Sequence, residues 1–270
     1  MVAVFIIDYK RKKGKRSVAQ MIPKILHYCW FGGRPKSDIF LQCLESWKQF
    51  APDFEIKEWN EKTSIPYQNK FYHDAIRKGK FAFASDCIRV QVLYNMGGIY
   101  LDTDMLLIKP IEPLLSYAFF TGYEVEGRPA YGLFGGVRGN SILGKMKEFY
   151  DVQYFNSFSP PVITHTFKEL VAEKNLQENE TIFPTSYFYP LPYENREDTY
   201  NSFITKGSLA VHLWEHSWRV NKKEGFWQLI KKLNEVCLDY VFYGYPLVYF
   251  RRYSKEFSRK LYHKLIGKKV

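Results

Sequence analysis

The sequence predicts an α/β fold with a mostly parallel sheet flanked by helices, and two observations carry that expectation. First, residues 21–60 read as strand, helix, strand, the order that lays down parallel neighbours. Second, a helical stretch at 84–96 runs through Gly97-Gly98 into the short apolar segment Ile99-Tyr100-Leu101, which ends in two carboxylates, Asp102 and Asp104. A chain of 270 residues with 46% hydrophobic content is long enough for one substantial core.

Taken in order, residues 1–20 form a basic leader. Its apolar residues precede its charges, the reverse of a secretory signal. MIPKILHYCWF (21–31) is the opening strand and Gly32-Gly33-Arg34-Pro35 a loop. Residues 38–50 suit an amphipathic helix carrying Ile39, Leu41, Leu44, Trp47 and Phe50, stopped by Pro52. FEIKEWN alternates like a half-buried strand. Helices are expected at 67–80 and 84–96, the second with Ser85 as N-cap, Gly97 as stop, and Ile88, Val92 and Met96 on one face. Asp86 and Arg89 stand three apart, as an ordinary surface ion pair or as the edge of a cleft.

AYGLFGGVRGN (130–140) matches no phosphate-loop pattern. It is either a bulged strand or a place where substrate meets backbone. Helices are expected at 141–149 and 166–175, and irregular chain at IFPTSYFYPLPYEN. In AVHLWEHSWRV, His212 and His216 could form half a zinc site on a helix, but no third ligand has matching spacing. A histidine or serine completing a divalent-metal or diphosphate site fits better. The tail ends in RRYSKEFSRKLYHKLIGKKV, a basic amphipathic helix that either caps the core or meets anionic lipid.

The carboxylate pair sets the chemistry. Residues two apart in a strand point to one side, so Asp102 and Asp104 can address one point. Two close carboxylates repel unless a cation or proton intervenes. Hard oxygen ligands suit Mg²⁺ or Mn²⁺, which keep positions for water and substrate phosphates. The net charge of +11 favours an anionic partner, but no nucleic-acid recognition motif accompanies it. No apolar run reaches the length of a spanning helix. Cys29, Cys43, Cys87 and Cys237 are widely spaced, which suits reduced thiols in a cytoplasmic protein; the basic tail is what would hold it peripherally at the inner membrane face.

Four motifs in order, IPKILHYCWFGG, SDCIRVQVLYNMGGIYLDTDM, FPTSYFYP and VHLWEHSW, resemble DXD-motif glycosyltransferases of family 32, bacterial capsular polysaccharide type, and more distantly clostridial toxin glucosyltransferase domains. The resemblance spans residues 21–220. It implies a GT-A-like domain over 21–225, with a Rossmann-like nucleotide-binding sheet, and leaves 226–270 as a helical or irregular basic aromatic extension. It implies a retaining, metal-dependent transfer from a nucleotide sugar, UDP for preference, to a glycan or lipid-linked acceptor. Trp30, with Phe31 beside it, matches the aromatic that stacks on the base. Asp86 and Arg89 match the pair holding donor sugar and phosphate, and Tyr100 a residue at the diphosphate. Asp102 matches the carboxylate facing ribose and sugar, and Asp104 the direct metal ligand. His212, Ser217 and Trp218 fall where the C-terminal motif closes over metal and diphosphate, with Glu215 competing as a ligand. The alternative is a non-catalytic nucleotide-sugar or carbohydrate-binding module of the same fold.

Overall fold

A computed structural model describes residues 21–155, 163–172, 175–215, 226–242 and 247–265. The fold is the expected mixed α/β class. Strands β1 (Ile25–Cys29), β2 (Glu55–Trp59), β3 (Gly98–Leu101), β5 (Phe119–Val125), β6 (Arg128–Gly136) and β7 (Glu180–Phe183) form one sheet in the order β2-β1-β3-β6-β5-β7. All its strands run parallel except β6, which pairs antiparallel with β3 and β5. A second, two-stranded antiparallel ribbon joins β4 (Met105–Leu107) to β8 (Ala210–His212), with Met105 opposite His212.

Alternation along the strands feeds two cores. Leu26, Tyr28, Ile99 and Leu101 face one side, where α1 (Asp38–Phe50) packs with β4. Cys29 and Tyr100 face the other, covered by α2 (Lys70–Arg77), α3 (Phe81–Met96), α4 (Ser141–Val152) and α5 (Thr164–Leu170). Helix α1 has the expected bounds, but its inner stripe is Phe40, Cys43 and Trp47, while Leu41 is exposed. The packing of α1 against β4 selects that face: Trp47 Nε1 donates to the Met105 carbonyl at 2.7 Å.

Other expectations are corrected. Helix α3 starts four residues before Ser85, so Ser85 is interior and not its N-cap. The helix is buried over most of its girth, from Ile88 and Arg89 to Leu93, because it lies between the sheet and α2 and α4. Helix α2 is shorter than 67–80, its cap supplied by the Asn69 side chain accepting from Tyr72 N. Of the segment 130–140, residues up to Gly136 lie in the bulged β6, which breaks register against β5, and Asn140 caps α4. IFPTSYFYPLPYEN carries the end of β7, a one-turn helix α6 (Thr185–Phe188) and a 3₁₀ turn at Tyr193–Asn195.

Gly97 and Gly98 both have positive φ, +70° and +113°. A Cβ on Gly98 would lie 2.6 Å from His27 Nε2, and one on Gly97 2.8 Å from Arg138 N. The pair therefore stops α3 and lets β3 start against β1 without a side chain in the way. His27 is buried between them: Trp59 Nε1 donates to its Nδ1 at 3.1 Å, and its Nε2–H donates to the Gly97 carbonyl at 2.9 Å. Both ring nitrogens are thus satisfied in the neutral form, and burial pushes its pKa down to about 4.

The four cysteines are free. Helices α7 (Phe226–Phe242) and α8 (Leu247–Leu265) pack on one another, with the Tyr240 and Phe250 rings 5.4 Å apart. No described helix is long and apolar enough to cross a membrane.

Candidate active site

Strands β1, β2 and β3 end at one edge of the sheet, the edge where ligands of open α/β sheets bind. Trp30 and Phe31 follow β1 there, and Asp102 follows β3. The two aspartates lie in the β3–β4 turn and not within a strand, which corrects the expected strand geometry. Asp102 is tied back by its N–H to the Gly132 carbonyl at 2.7 Å, and its own carbonyl accepts from Met105 N at 3.0 Å. A turn can turn the two carboxylates to different partners, and this one does.

Asp102 belongs to the cluster built on α3. Arg89 Nη2 lies 3.1 Å from both Asp86 Oδ1 and Asp102 Oδ1. Arg89 Nη1 donates to the Tyr131 carbonyl at 2.7 Å, and the guanidinium lies over the Tyr100 ring at 4.4 Å. The Tyr100 hydroxyl donates to the same Asp102 Oδ1 at 3.1 Å. The Arg89 side chain is 7% exposed, whereas that of Asp102 is 31% exposed, so the carboxylate is the part of this cluster open to a ligand. Burial pushes Asp86 up to about 6, Arg89 pulling the other way. Burial also raises Asp102 above the usual carboxylate range despite Arg89, with Asp104 adding to the rise.

Asp104 pairs with β8. The β4–β8 register sets His212 beside it, with Leu213 N donating to the Asp104 carbonyl at 2.9 Å and His212 Nε2 3.1 Å from Asp104 Oδ2. His212 is on a strand, which removes the helical half-zinc geometry expected for His212 and His216. Burial alone would lower the His212 pKa, but the Asp104 charge and hydrogen bond raise it above the ordinary value. Its Nδ1 is buried without a hydrogen-bond partner among the described residues. Trp214, next along, takes φ +58°, rare for a bulky side chain, and its indole N–H is anchored on the Leu191 carbonyl at 2.9 Å.

Trp30 is half-buried. One ring face stacks on Phe40 at 5.2 Å and its N–H donates to the Arg34 carbonyl at 2.9 Å. Trp30 packs in the core on the α1 side, whereas Cys29 next to it faces the α3 side, its Sγ 4.0 Å from the Ser85 carbonyl, so the structure does not bring the Trp30 ring into contact with the Arg89 cluster. Phe31 points into the core against Tyr72, 5.6 Å between ring centres. Glu215 does not join Asp104: its Oε2 accepts from Ser37, the N-cap of α1, at 2.8 Å. That leaves His212 as the partner of Asp104. His216, Ser217 and Trp218 lie outside the described residues.

Gly132 and Tyr189 were not singled out from the sequence. A Cβ on Gly132 would meet Asp102 Oδ2 at 2.7 Å and the Tyr189 hydroxyl at 3.0 Å. Tyr189 accepts from Leu133 N and sets its ring against His212 at 5.6 Å, so it touches both halves of the site. The glycine run of 130–140 and the Tyr-Phe-Tyr-Pro of 187–190 were the available signals, but neither states its partner.

The residues present fit a divalent cation that takes part of its shell from a ligand. Asp102 and Asp104 offer hard oxygens, and Oδ1 of Asp104 is not used in the His212 pair. Among the described residues no group of three or more His, Cys, Asp or Glu side chains forms a full protein-supplied site.

Two sequence families match adjacent parts of the chain. The family described as glycosyltransferase sugar-binding region containing DXD motif matches residues 37–121, and the alpha 1,4-glycosyltransferase conserved region matches 139–239. The chain is similar to the alpha-1,4-N-acetylglucosaminyltransferase of Homo sapiens, 24% identical over 195 residues, covering 66% of this chain and 53% of that protein. It is similar to the lactosylceramide 4-alpha-galactosyltransferase of Rattus norvegicus, 27% identical over 149 residues, 48% of this chain and 40% of that protein. The chain thus spans about half the length of the curated relatives it matches. Among solved structures, the PaToxG glycosyltransferase aligns with TM-score 0.45 at 16% identity over 57% of this chain and 70% of its own. A glycosyltransferase involved in glycosylation of the major capsid of PBCV-1 aligns with TM-score 0.42 at 15% identity over 72% and 95%. The sequence relatives of this chain are DXD-motif and α-1,4-glycosyltransferases, and the curated ones are named enzymes.

Proposed function

We propose that the chain transfers a sugar from a nucleotide-sugar donor, a UDP-sugar for preference, to a hydroxyl of a surface glycan or lipid-linked oligosaccharide, with retention of anomeric configuration. The observation that carries the reading is the convergence of Tyr100 and of Arg89, itself paired with Asp86, on the half-open Asp102, in the same turn as the Asp104–His212 pair. The sequence relatives support the reaction class. The capsular role rests on the motif resemblance.

Each residue then has a task. Trp30 offers its uncovered aromatic surface to the base, a contact of about 1–3 kcal/mol by analogy with base stacking. Asp102 receives sugar and ribose hydroxyls on its Oδ2, while Arg89 and Tyr100 fix its Oδ1. Arg89 adds a buried positive charge close to where the diphosphate leaves. Asp104, with Asp102, would hold Mg²⁺ or Mn²⁺, which when bound neutralises charge on the departing diphosphate without proton transfer. His212 orients Asp104. Retention is read as acceptor attack on the face of departure, assisted by a diphosphate oxygen; trapping a glycosyl–enzyme adduct would overturn it.

The test is donor hydrolysis and transfer with a panel of nucleotide sugars, with and without Mn²⁺. Asp104→Asn should abolish the metal-dependent rate while leaving the unfolding curve in place. Nucleotide-sugar binding with neither transfer nor slow hydrolysis would favour the binding-module alternative.

A further inference from the structure

We propose that the α7–α8 unit docks on an anionic lipid surface through the end of α7 and the start of α8. This goes beyond the reaction at Asp102 and does not depend on it. Leu238, Val241 and Phe242 close α7 at 48, 65 and 72% exposure, and Leu247 opens α8 at 42%. Leu238, Val241 and Phe242, three and four positions apart, share one face of α7, and the Tyr240–Phe250 contact keeps the start of α8 beside that end. Helix α8 then carries six lysines and arginines against one glutamate, with Arg251 and Lys255 exposed in the turns next to the patch.

An apolar patch beside a strongly cationic helix matches the interface of an anionic bilayer, where side chains such as these enter the headgroup boundary and basic residues meet phosphate. A second copy is a poorer occupant, because it would set α8 against α8 and like charge against like. Nucleic acid would use the charge but leave the apolar patch in water. Neither helix is long and apolar enough to span, so the unit lies on the surface. The structure also moves the inserting element: the basic tail alone is not sufficient, and the apolar end of α7, upstream of Arg251, belongs to it.

The experiment is co-sedimentation of the full chain with phosphatidylcholine vesicles containing phosphatidylglycerol, against phosphatidylcholine alone, at low and high salt. Binding is expected only with the anionic lipid and is expected to fall with salt. Arg251→Gln with Lys255→Gln should weaken it about 30-fold, roughly fivefold per charge. Val241→Glu with Phe242→Glu should weaken it at least about tenfold. Both pairs are exposed, and unchanged thermal unfolding confirms that they fold. A chain that stays in the supernatant overturns the proposal, as does binding that the Glu pair leaves intact. Concentration-dependent self-association without vesicle binding, or equal retention by a single-stranded oligonucleotide in the Glu variant, does so as well.

Discussion

Arg89 and Asp102 are bound at 3.1 Å, joining the middle of α3 to the turn that ends β3. The guanidinium is buried and serves Asp86 and the Tyr131 carbonyl as well, so its removal strands two carboxylates. Arg89→Ala is expected to cost about 3–5 kcal/mol of stability, measured by urea unfolding. Arg89→Lys keeps the charge but not the fork. It should fold, yet lose about 10²–10³-fold in kcat.

Gly132→Ala places a methyl group 2.7 Å from Asp102 Oδ2. The carboxylate must shift, and a misplacement of this size is expected to lower transfer by about 10²-fold. Far-UV circular dichroism should stay unchanged. A variant as active as the parent would remove Asp102 Oδ2 from the reacting position.

Gly98→Ala puts a Cβ 2.6 Å from His27 Nε2 and 2.8 Å from the Ile25 carbonyl, at φ +113°. No nearby flexible group can yield, because the contacts are backbone and a doubly bonded ring. A loss of about 3 kcal/mol or more is expected, read as a fall in the urea midpoint.

His27 gives the chain an acid limit. Its pKa is about 4 when folded, below the ordinary value of 6.5. Above pH 6.5 both states hold it neutral, and its contribution is complete. As pH falls towards 4, the unfolded chain takes up a proton that the folded chain refuses. Stability should then drop by about 1.4 kcal/mol per pH unit from this group, levelling off below pH 4. His27→Gln should flatten the urea midpoint between pH 6.5 and 4 relative to the parent.

Trp30→Ala should weaken donor binding by about 5- to 150-fold, the range of a base-stacking contact. Calorimetric titration of the free nucleotide measures it. Stability should fall only modestly, since the ring already has one side towards solvent.

The sequence by itself determined the class of fold and the chemical inventory. Strand–helix–strand order, the Gly97-Gly98 stop and the carboxylate pair are local features, governed by backbone sterics and by residue type, and they survive without knowledge of neighbours. It also brought Asp86 and Arg89 together, because three residues along a helix is a fixed distance. Only the tertiary structure decided the rest. The split of Asp102 towards Arg89 and Asp104 towards His212 depends on a turn and on the β4–β8 register, which joins residues more than a hundred positions apart. Glu215 goes to the cap of α1 and not to Asp104, and Gly132 with Tyr189 closes on Asp102, for the same reason: contacts between distant segments follow from how surfaces pack, which no local pattern encodes.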